Sequence, residues 1–402
     1  MIEIDPEKYL YDLPEGRIAQ HPVSKRDMSK LLICKGKSIS SDLFINIGKY
    51  IPSGSLLLFN NTKVIKARLL FRKESGALIE ILCLEPLSPS GYGLSLSSTR
   101  PVEWKCIIGN LKKWKGRIIS GIFGSGDKKC ILSAEKICQE GVAWRIRFSW
   151  DSPGSTFSEI IEKSGRMPIP PYINRLDTQE DAIRYQTVYS TVEGSVAAPT
   201  AGLHFTEGVL ESISSGGIKK AELTLHVSAG TFQPVRVKNI WDHEMHLEHY
   251  HITRDTIELI RQYNGKIIPV GTTSVRTLES IYWLGVKFCR KERMSISNLM
   301  TGQWEPYEGD CKIGLSDSLD ALLEIMESSK IRTLNATTGI MIIPGYKFRI
   351  TNGIITNFHQ PGSTLIMLVA AWLGENWRKV YNYALNNDFR FLSYGDSSLL
   401  FR

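Results

Sequence analysis

Short apolar runs, each followed at once by a polar loop that contains glycine, recur along the second half of the chain. They occupy residues 221–227, 266–270, 339–343 and 354–358. Runs of this length between Gly, Ser and Thr are typical of buried β-strands. Ligands of open α/β sheets bind beyond the carboxyl ends of the strands, so we expect the four loops to gather around one site. Each loop taken alone could equally be a turn or a helix cap.

Between residues 64 and 150 the pattern changes to short β-type segments separated by Gly, Ser and Pro. Six strands are predicted there, at 67–71, 77–84, 103–108, 116–122, 129–133 and 143–150. Several short strands at this spacing are typical of a small antiparallel barrel or sandwich. The predicted fold is an α/β main domain, formed by residues 1–63 and 151–402, with an inserted small antiparallel β-barrel domain at residues 64–150.

Helices are predicted at 155–164 and 181–189, and after two of the polar loops. Thr273 or Ser274 can cap a helix that continues to residue 284, and Ser363 can cap a second helix that ends before Gly374. Both helices begin at the expected site. Their N-terminal N–H groups would suit an anionic group such as a carboxylate or a phosphate.

Composition narrows the class of protein. The chain has 402 residues, of which 42% are hydrophobic and 22% charged, as in ordinary globular proteins. Its longest apolar run, 365–373, is far shorter than the roughly 18 residues that cross a bilayer, so no membrane partner is expected. The first residues are acidic and lack an apolar segment, which favours a cytoplasmic location. Seven scattered cysteines without a CxxC pair argue against a disulfide framework.

Lys and Arg exceed Asp and Glu by 49 − 41 = 8. Part of the excess lies within the predicted insert, between residues 105 and 129, where Trp114 is set among seven basic residues and Asp127 is the one acid. The basic residues are Lys105, Lys112, Lys113, Lys115, Arg117, Lys128 and Lys129. Basic residues with an aromatic side chain on a small β-barrel fit a nucleic-acid backbone. A solvated lysine-rich face is the alternative.

A histidine-rich segment, D-H-E-M-H-L-E-H-Y-H, occupies residues 242–251. His243, His246 and His249 are three apart and could line one helix face as metal ligands. The alternation at 248–252 predicts a strand instead, in which His249 and Glu248 point to opposite faces. No G-x-G-x-x-G and no P-loop motif occurs.

Several motifs taken together closely resemble one family, the S-adenosylmethionine:tRNA ribosyltransferase-isomerases of queuosine biosynthesis. They cover nearly the whole chain apart from the predicted insert. The motifs are Y-D-L-P at 11–14, I-A-Q at 18–20, R-D at 26–27, F-N-N-T-K-V at 59–64, P-P-Y-I at 170–173, Y-Q-T-V-Y at 185–189, the segments 194–206, 225–232 and 271–280, H-E-M-H at 243–246, T-N-F-H at 356–359, and R-F with S-Y-G-D at 390–396.

The resemblance implies an α/β domain interrupted by a β-barrel, and it implies the reaction. The ribosyl part of S-adenosylmethionine would be transferred to the aminomethyl group of 7-aminomethyl-7-deazaguanine in a tRNA anticodon stem-loop. It would isomerise to an epoxycyclopentane with release of adenine and methionine, giving epoxyqueuosine in tRNA. S-adenosylmethionine is then a co-substrate, tRNA is the partner, no metal is expected, and a monomer is expected.

A general base is required because the sulfonium acidifies the hydrogens on the ribose 5′ carbon. The base needs a pKa near the operating pH, and this requirement favours histidine. The matching motifs contain four histidines and two carboxylates that could serve, and the choice among them stays open: His204, His226, His246, His359, Glu248 and Asp396.

The same motifs supply the expected binding residues. Arg276, in the first turn of its helix, can pair bidentately with the carboxylate of S-adenosylmethionine. The candidate substrate-binding residues are Gly271, Thr272, Thr273, Ser274, Arg276, Asn357, Tyr394 and Asp396. The candidate tRNA-binding residues are Asn60, Asn61, Lys63, Lys112, Lys113, Lys115, Arg166 and Arg175. The sequence departs from the family pattern at Gln360, at Gly362 and in the turn at 99–104.

Two other classes of function were weighed. A methyltransferase that uses S-adenosylmethionine to modify RNA would be expected to carry a Gly-rich loop after an early strand, and that loop is absent. A non-catalytic tRNA-binding protein with the same fold would be expected to lose the polar strand-end loops, and these are intact.

Overall fold

The computed structural model describes residues 4–123, 129–228, 235, 237–292, 294–309 and 311–402. Its strands are β1 Lys30–Lys35, β2 Ser38–Leu43, β3 Leu56–Asn60, β4 Thr62–Val64, β5 Arg68–Arg72, β6 Leu78–Ser88, β7 Val102–Gly109, β8 Ile118–Phe123, β9 Cys130–Glu140, β10 Ala143–Trp150, β11 Gly165–Arg166, β12 Val192–Ser195, β13 Lys219–Leu225, β14 Glu248–Thr253, β15 Ile267–Pro269, β16 Leu299–Thr301, β17 Thr333–Thr338, β18 Ile354–Asn357 and β19 Ser397–Phe401. Its α-helices are α1 Tyr92–Leu96, α2 Phe157–Ser164, α3 Gln179–Arg184, α4 Glu207–Ser215, α5 Arg254–Gln262, α6 Thr272–Cys289, α7 Leu315–Ser328, α8 Thr364–Leu373 and α9 Asn376–Asn386.

Two mixed sheets form the α/β part of the molecule. The larger has six strands in the order β15-β3-β13-β14-β17-β16, and β15, β3 and β13 run parallel. The smaller has the order β18-β19-β1-β2, in which β1 and β19 run parallel. A bridge between Val270 and Ile355 joins the sheets, and the Gly271 N–H donates to the Ile355 carbonyl at 2.8 Å. The ends of β15 and β18 are therefore neighbours.

A seven-stranded antiparallel sheet holds the six strands predicted between residues 64 and 150. Its order is β11-β5-β6-β7-β10-β9-β8, with register shifts in β6 and β10 that curl it. Phe71 of β5 meets Phe123 of β8 edge to face, with ring centroids 5.5 Å apart. Among the described residues no ladder pairs β8 with β5. The structure supports a curled antiparallel sheet, and its closure into a barrel stays a prediction.

The hydrophobic core under the curled sheet continues beyond residue 150. Phe157 and Ile161 of α2 pack with Trp104 and Phe148 of the sheet, and Val196 joins the same cluster. The apolar face of α2 is thus covered by the sheet rather than by the α/β part alone. The division of the chain at residues 64 and 150 stays a prediction.

Three local predictions are wrong. The helix predicted at 181–189 ends at Arg184. The apolar run at 339–343 is not a strand, because β17 ends at Thr338 and the following chain is buried without joining a ladder. Its Met341 N–H instead donates to the Gln303 carbonyl. The cap of α6 is Gly271, whose φ of 91° lets the chain turn directly from β15 into the helix. The cap predicted for α8 is confirmed, since the Ser363 side chain accepts from the Ile366 N–H at 3.3 Å.

Helix α6 occupies the centre of the α/β part. Every residue from Thr272 to Val286 is buried, including the carboxylate of Glu279. Within the described ranges, no helix combines the length and apolar character needed to cross a membrane.

Glu279 fastens α6 to the chain that leads into β18. Its carboxylate accepts the backbone N–H groups of Arg349, Ile350 and Thr351 at 2.8–3.2 Å. It also accepts the hydroxyls of Thr351 and Tyr346, both at 2.9 Å. Burying a carboxylate is costly unless hydrogen bonds replace its hydration, and these five bonds do so.

We predict that Glu279→Gln lowers the free energy of unfolding by about 3 kcal/mol or more, because an amide cannot accept at both positions and turns a donor toward backbone N–H groups. Urea unfolding followed by circular dichroism measures the change. Glu324→Gln, at an exposed position of α7, is the matched control and should change the unfolding free energy by less than about 0.5 kcal/mol. Equal losses in the two variants would contradict the role of Glu279.

Candidate active site

A cleft with an empty volume of about 640 Å³, partly open to solvent, lies where the ends of β15 and β18 meet. Two of the four predicted loops contribute to it, the start of α6 and the turn between β18 and α8, together with the segment after β12. The loop at 344–346 does not line the cleft, so the expectation that all four loops gather there is wrong. The loop after β13 lies mostly outside the described residues, although Val227 lines the cleft. The lining residues are Tyr172, Ala197, Ala198, Pro199, Thr200, Ala201, Val227, Gly271, Thr272, Thr273, Thr356, Asn357, Phe358, His359, Gln360, Ser363, Leu365, Leu392 and Ser393.

The N-terminus of α6 forms one end of the cleft. Gly271, Thr272 and Thr273 line it, and the first-turn N–H groups of a helix have no partner within the helix. Thr273 is 8% exposed, and its buried hydroxyl oxygen has no hydrogen-bond partner in the described part of the chain. Ser274 differs, because its hydroxyl donates to the Val270 carbonyl at 2.8 Å. This end of the cleft offers N–H and O–H donors to an anion.

His359 also lines the cleft, and three hydrogen bonds hold it in place. Its Nε2 is 2.9 Å from Thr356 Oγ1, its N–H donates to the Tyr381 hydroxyl, and its carbonyl accepts from the Tyr11 hydroxyl. Burial lowers the pKa of His359 to about 3, so the imidazole is neutral at physiological pH. Within the described residues no group bonds to its Nδ1.

Asn357 lines the cleft, and its side chain adjoins that of His204. The Asn357 side-chain amide donates to the Leu392 carbonyl at 3.0 Å, while its Oδ1 is buried with no partner in the described residues. His204 Nδ1 is 2.7 Å from Ser29 Oγ. Burial lowers the pKa of His204 to about 3, against the opposing effect of the Asn357 amide. Asn357 lines the cleft and His204 does not.

His226 lies away from the cleft, between the main sheet and α1. Its ring stacks on Tyr92 at 4.1 Å and meets His251 edge-on at 5.3 Å. Burial lowers the pKa of His226 to about 3. A Cβ at Gly194 would lie 2.7 Å from its Nδ1, so this packing requires glycine there. His226 therefore lies where the α/β part contacts the curled sheet.

Arg276 does not face the cleft, contrary to the expectation that it meets the substrate. Its guanidinium pairs with Glu248, and the two residues are 6% and 2% exposed. Its Nε donates to the Ile340 carbonyl at 3.2 Å, and Glu248 accepts from the Ser228 N–H at 3.4 Å. The pair therefore joins α6 to β14 inside the protein.

Tyr394 and Asp396 stabilise the turn that carries Ser393 into the cleft. The Tyr394 hydroxyl donates to Asp181 at 2.6 Å, and Arg175 pairs with the same carboxylate through two bonds. Although burial alone would raise it, these bonds hold the pKa of Asp181 well below its usual range. Asp396 accepts the N–H groups of Lys30 and Arg390, and burial raises its pKa.

The remaining candidates for tRNA contact on the α/β part have partners within the protein. Asn60 is fully buried. Its side-chain amide donates to the Leu225 carbonyl and accepts from the Leu225 N–H, which joins β3 to β13. Asn61 donates to Glu222 at 2.9 Å, and Arg175 is engaged by Asp181 as described above. The other two are more accessible and pair with single acids: Lys63 with Glu193 at 3.1 Å, and Arg166 with Asp177 at 3.5 Å.

On the curled sheet, Lys112, Lys113 and Lys115 are exposed at the turn between β7 and β8. Trp114 is 3% exposed and lies under Lys136, whose Nζ is 5.0 Å from the ring centroid, so it is closed to stacking with a base. Two other predicted basic residues are paired, Lys105 with Glu85 and Arg117 with Glu135. Asp127 and Lys128 lie outside the described residues.

The helix-face hypothesis for a metal site is wrong. His243 follows a short 3-10 turn and His249 lies on β14, so the three histidines do not share a helix. In the part of the chain that the structure describes, no group of three or more His, Cys, Asp or Glu side chains is placed to hold a metal.

Sequence reasoning overlooked two cleft residues, Tyr172 and Ser393. Their hydroxyl oxygens are 2.5 Å apart, which joins the P-P-Y-I and S-Y-G-D segments across the cleft. Both residues lie inside motifs that carry the resemblance, Tyr172 in P-P-Y-I and Ser393 in S-Y-G-D. Their shared location depends on a fold that brings positions 221 residues apart together.

Comparisons with known proteins identify the family of this chain. A family model described as queuosine biosynthesis protein matches residues 6–400. Proteins named S-adenosylmethionine:tRNA ribosyltransferase-isomerase from Thermoanaerobacter sp. (strain X514) and Treponema denticola are 39% and 37% identical, each over 98% of this chain and over 98% and 99% of their own lengths. A crystal structure of S-adenosylmethionine tRNA ribosyltransferase from Thermotoga maritima is 26% identical over 98% of this chain and 99% of that chain, with a TM-score of 0.45. The chain belongs to the queuosine biosynthesis protein family.

Proposed function

We propose that this chain transfers and isomerises the ribosyl moiety of S-adenosylmethionine onto 7-aminomethyl-7-deazaguanine in tRNA. The products are epoxyqueuosine-tRNA, adenine and methionine. Family membership and the activity for which the relatives are named support the reaction. The observation that carries it in this chain is one cleft lined both by a helix N-terminus and by a neutral, buried imidazole.

S-adenosylmethionine has a charged amino-acid end and an apolar adenine, and the cleft offers a match for each. The first-turn N–H groups of α6, with the hydroxyls of Thr272 and Thr273, receive the carboxylate. Arg276, paired with Glu248, contributes by holding α6 in place. The apolar walls, formed by Ala198, Phe358 and other residues, receive the adenine.

His359 is assigned as the base because, among the described residues, it is the one imidazole that lines the cleft. Its neutral form accepts a proton from the ribose 5′ carbon beside the sulfonium. The rearrangement then breaks the bond from sulfur to the 5′ carbon, releasing methionine, and the glycosidic bond, releasing adenine. The aminomethyl nitrogen of the tRNA base loses a proton to solvent as it forms a bond to carbon, and a new carbon–carbon bond closes the cyclopentane ring. The proton that His359 took from carbon passes to the departing adenine, which restores the neutral imidazole. The Thr356 hydroxyl orients the ring through Nε2.

The curled sheet is assigned to tRNA binding as an inserted barrel domain at residues 64–150. Its exposed lysines, Lys112, Lys113 and Lys115, suit backbone phosphates. Arg166, on β11 of the same sheet, and Lys63, on β4, are each partly exposed and extend this assignment beyond residues 64–150. The protein is assigned as a cytoplasmic monomer that needs no metal.

The products provide the first test. With S-adenosylmethionine and tRNA that carries 7-aminomethyl-7-deazaguanine, chromatography should find adenine and methionine in equal amounts, each matched by one modified nucleoside. Neither should form with tRNA that lacks the aminomethyl group, because that amine is the acceptor. S-adenosylhomocysteine as the main product would instead establish methyl transfer, which breaks the bond from sulfur to the methyl group.

A second prediction concerns Thr273. Thr273→Val removes one hydroxyl donor without changing the shape of the side chain, and should weaken S-adenosylmethionine binding roughly tenfold to a hundredfold, as expected for a hydrogen bond to a charged group. Thr273→Ser should restore most of the affinity. Thr277→Val, one turn further along α6, is the matched control because its hydroxyl donates to the Thr273 carbonyl and not to the cleft. Calorimetry measures all four proteins, and equal affinities throughout would remove Thr273 from the site.

The third prediction concerns His359. His359→Gln should lower kcat by about 10²–10⁴-fold, the usual contribution of a general base, with little change in the KM for S-adenosylmethionine. Because burial holds the pKa of His359 near 3, the wild-type kcat should not fall as pH drops from 8 through 6.5. His21→Gln, an exposed histidine, is the control. An acid limb near pH 6.5 that His359→Gln abolishes would contradict the neutral, buried state.

A further inference from the structure

A second, smaller cavity lies on the other side of Ser393 from the cleft. Its empty volume is about 270 Å³, and Ser393 lines both spaces. Two arginines, Arg26 and Arg184, line the small cavity together with His204 and Tyr394. His204 is neutral through burial, and the Tyr394 hydroxyl is engaged by Asp181, so the arginines set the charge of the cavity.

Arg26 is a half-buried cation held only by carbonyl groups. Its guanidinium donates to the backbone carbonyls of Ile183, Gln186 and Leu203. No carboxylate forms an ion pair with it in the described residues. Burial lowers the pKa of Arg26, and the nearby charge of Arg184 lowers it further. An anion in the cavity would relieve both effects.

Arg184 is also incompletely satisfied. It donates to the carbonyls of Val23 and Ser24, and its Nε is buried with no partner in the described residues. Its acidic contact is Glu180, at 3.3 Å and 63% exposed, which is a weak, solvent-screened pair. Two guanidiniums thus face one small space with a single exposed carboxylate between them.

We propose that this cavity binds a backbone phosphate of the RNA substrate, next to the nucleotide that enters the cleft. Guanidinium groups pair bidentately with phosphate oxygens, and two of them suit one phosphodiester. Because Ser393 lines both the small cavity and the cleft, a phosphate bound in the cavity is separated from the reaction site by this one residue. The identity of the anion as RNA rests on the proposed function, whereas the anion site itself rests on the two arginines.

The test is equilibrium binding of an unmodified anticodon stem-loop RNA at several salt concentrations, without turnover. Arg184→Gln should weaken binding roughly tenfold and reduce the slope of log K against log salt by about 0.7 to 0.9, the loss of one phosphate contact. Arg184→Lys should keep most of the slope. Arg261→Gln, which removes an exposed arginine paired with Asp320, is the control and should leave the slope unchanged.

A second variant adds affinity rather than removing it. Glu180→Gln frees Arg184 from its exposed partner and should tighten RNA binding about two- to threefold, in line with the small energy of a surface ion pair. Glu258→Gln removes the matching carboxylate from the Arg254 pair on α5, with the same change in net charge. Equal effects of the two glutamate variants, with an unchanged salt slope in Arg184→Gln, would overturn the proposal.

Inorganic phosphate separates the possible sources of the anion. Competition with the stem-loop that disappears in Arg184→Gln supports a phosphodiester site for RNA. Phosphate binding at Arg184 that leaves RNA affinity unaltered would overturn the RNA assignment. Because none of these measurements requires adenine release, a failure of the proposed reaction would be seen separately, in the product assay.

Discussion

The carboxylate of Glu279 is the constraint on which the arrangement of the cleft depends. Helix α6 begins at the cleft, and β18 ends at it, but the two elements are distant in sequence. Glu279 ties them by accepting three consecutive N–H groups of the chain at 349–351. A charge in the core of α6 is tolerated only with these bonds. Glu279 therefore supports the spacing between Thr273 and Asn357, together with the bond from the Gly271 N–H to the Ile355 carbonyl.

Charged residues near the cleft are used mostly to hold its parts together. Arg276 pairs with Glu248, and Arg175 pairs with Asp181, each inside the protein. The polar groups that line the cleft and are available to bind a ligand are uncharged: hydroxyls, backbone N–H groups and a neutral imidazole. A cationic substrate such as a sulfonium suits this division, because a free arginine in the cleft would repel it.

Much of the fold and of the cleft could be predicted from the sequence, for local reasons. Alternation and turn residues located the six strands of the curled sheet, and Ser363 with Gly374 bounded α8. The buried run at 339–343 resembled a strand, because burial on all sides gives the same apolar pattern whether or not the backbone pairs. The partners of Arg276 and the place of Ser393 depend on long-range packing, which no local pattern encodes.

The position of β19 has a consequence for biosynthesis. This strand lies between β18 and β1, and its parallel pairing with β1 joins segments more than 360 residues apart. Until residues 397–401 emerge from the ribosome, β1 and β18 each lack a neighbour, and the turn that carries Ser393 has nothing to close against. Such distant pairing is slow to form. The sheet formed by β18, β19, β1 and β2 therefore cannot be completed before residues 397–401 have been synthesised.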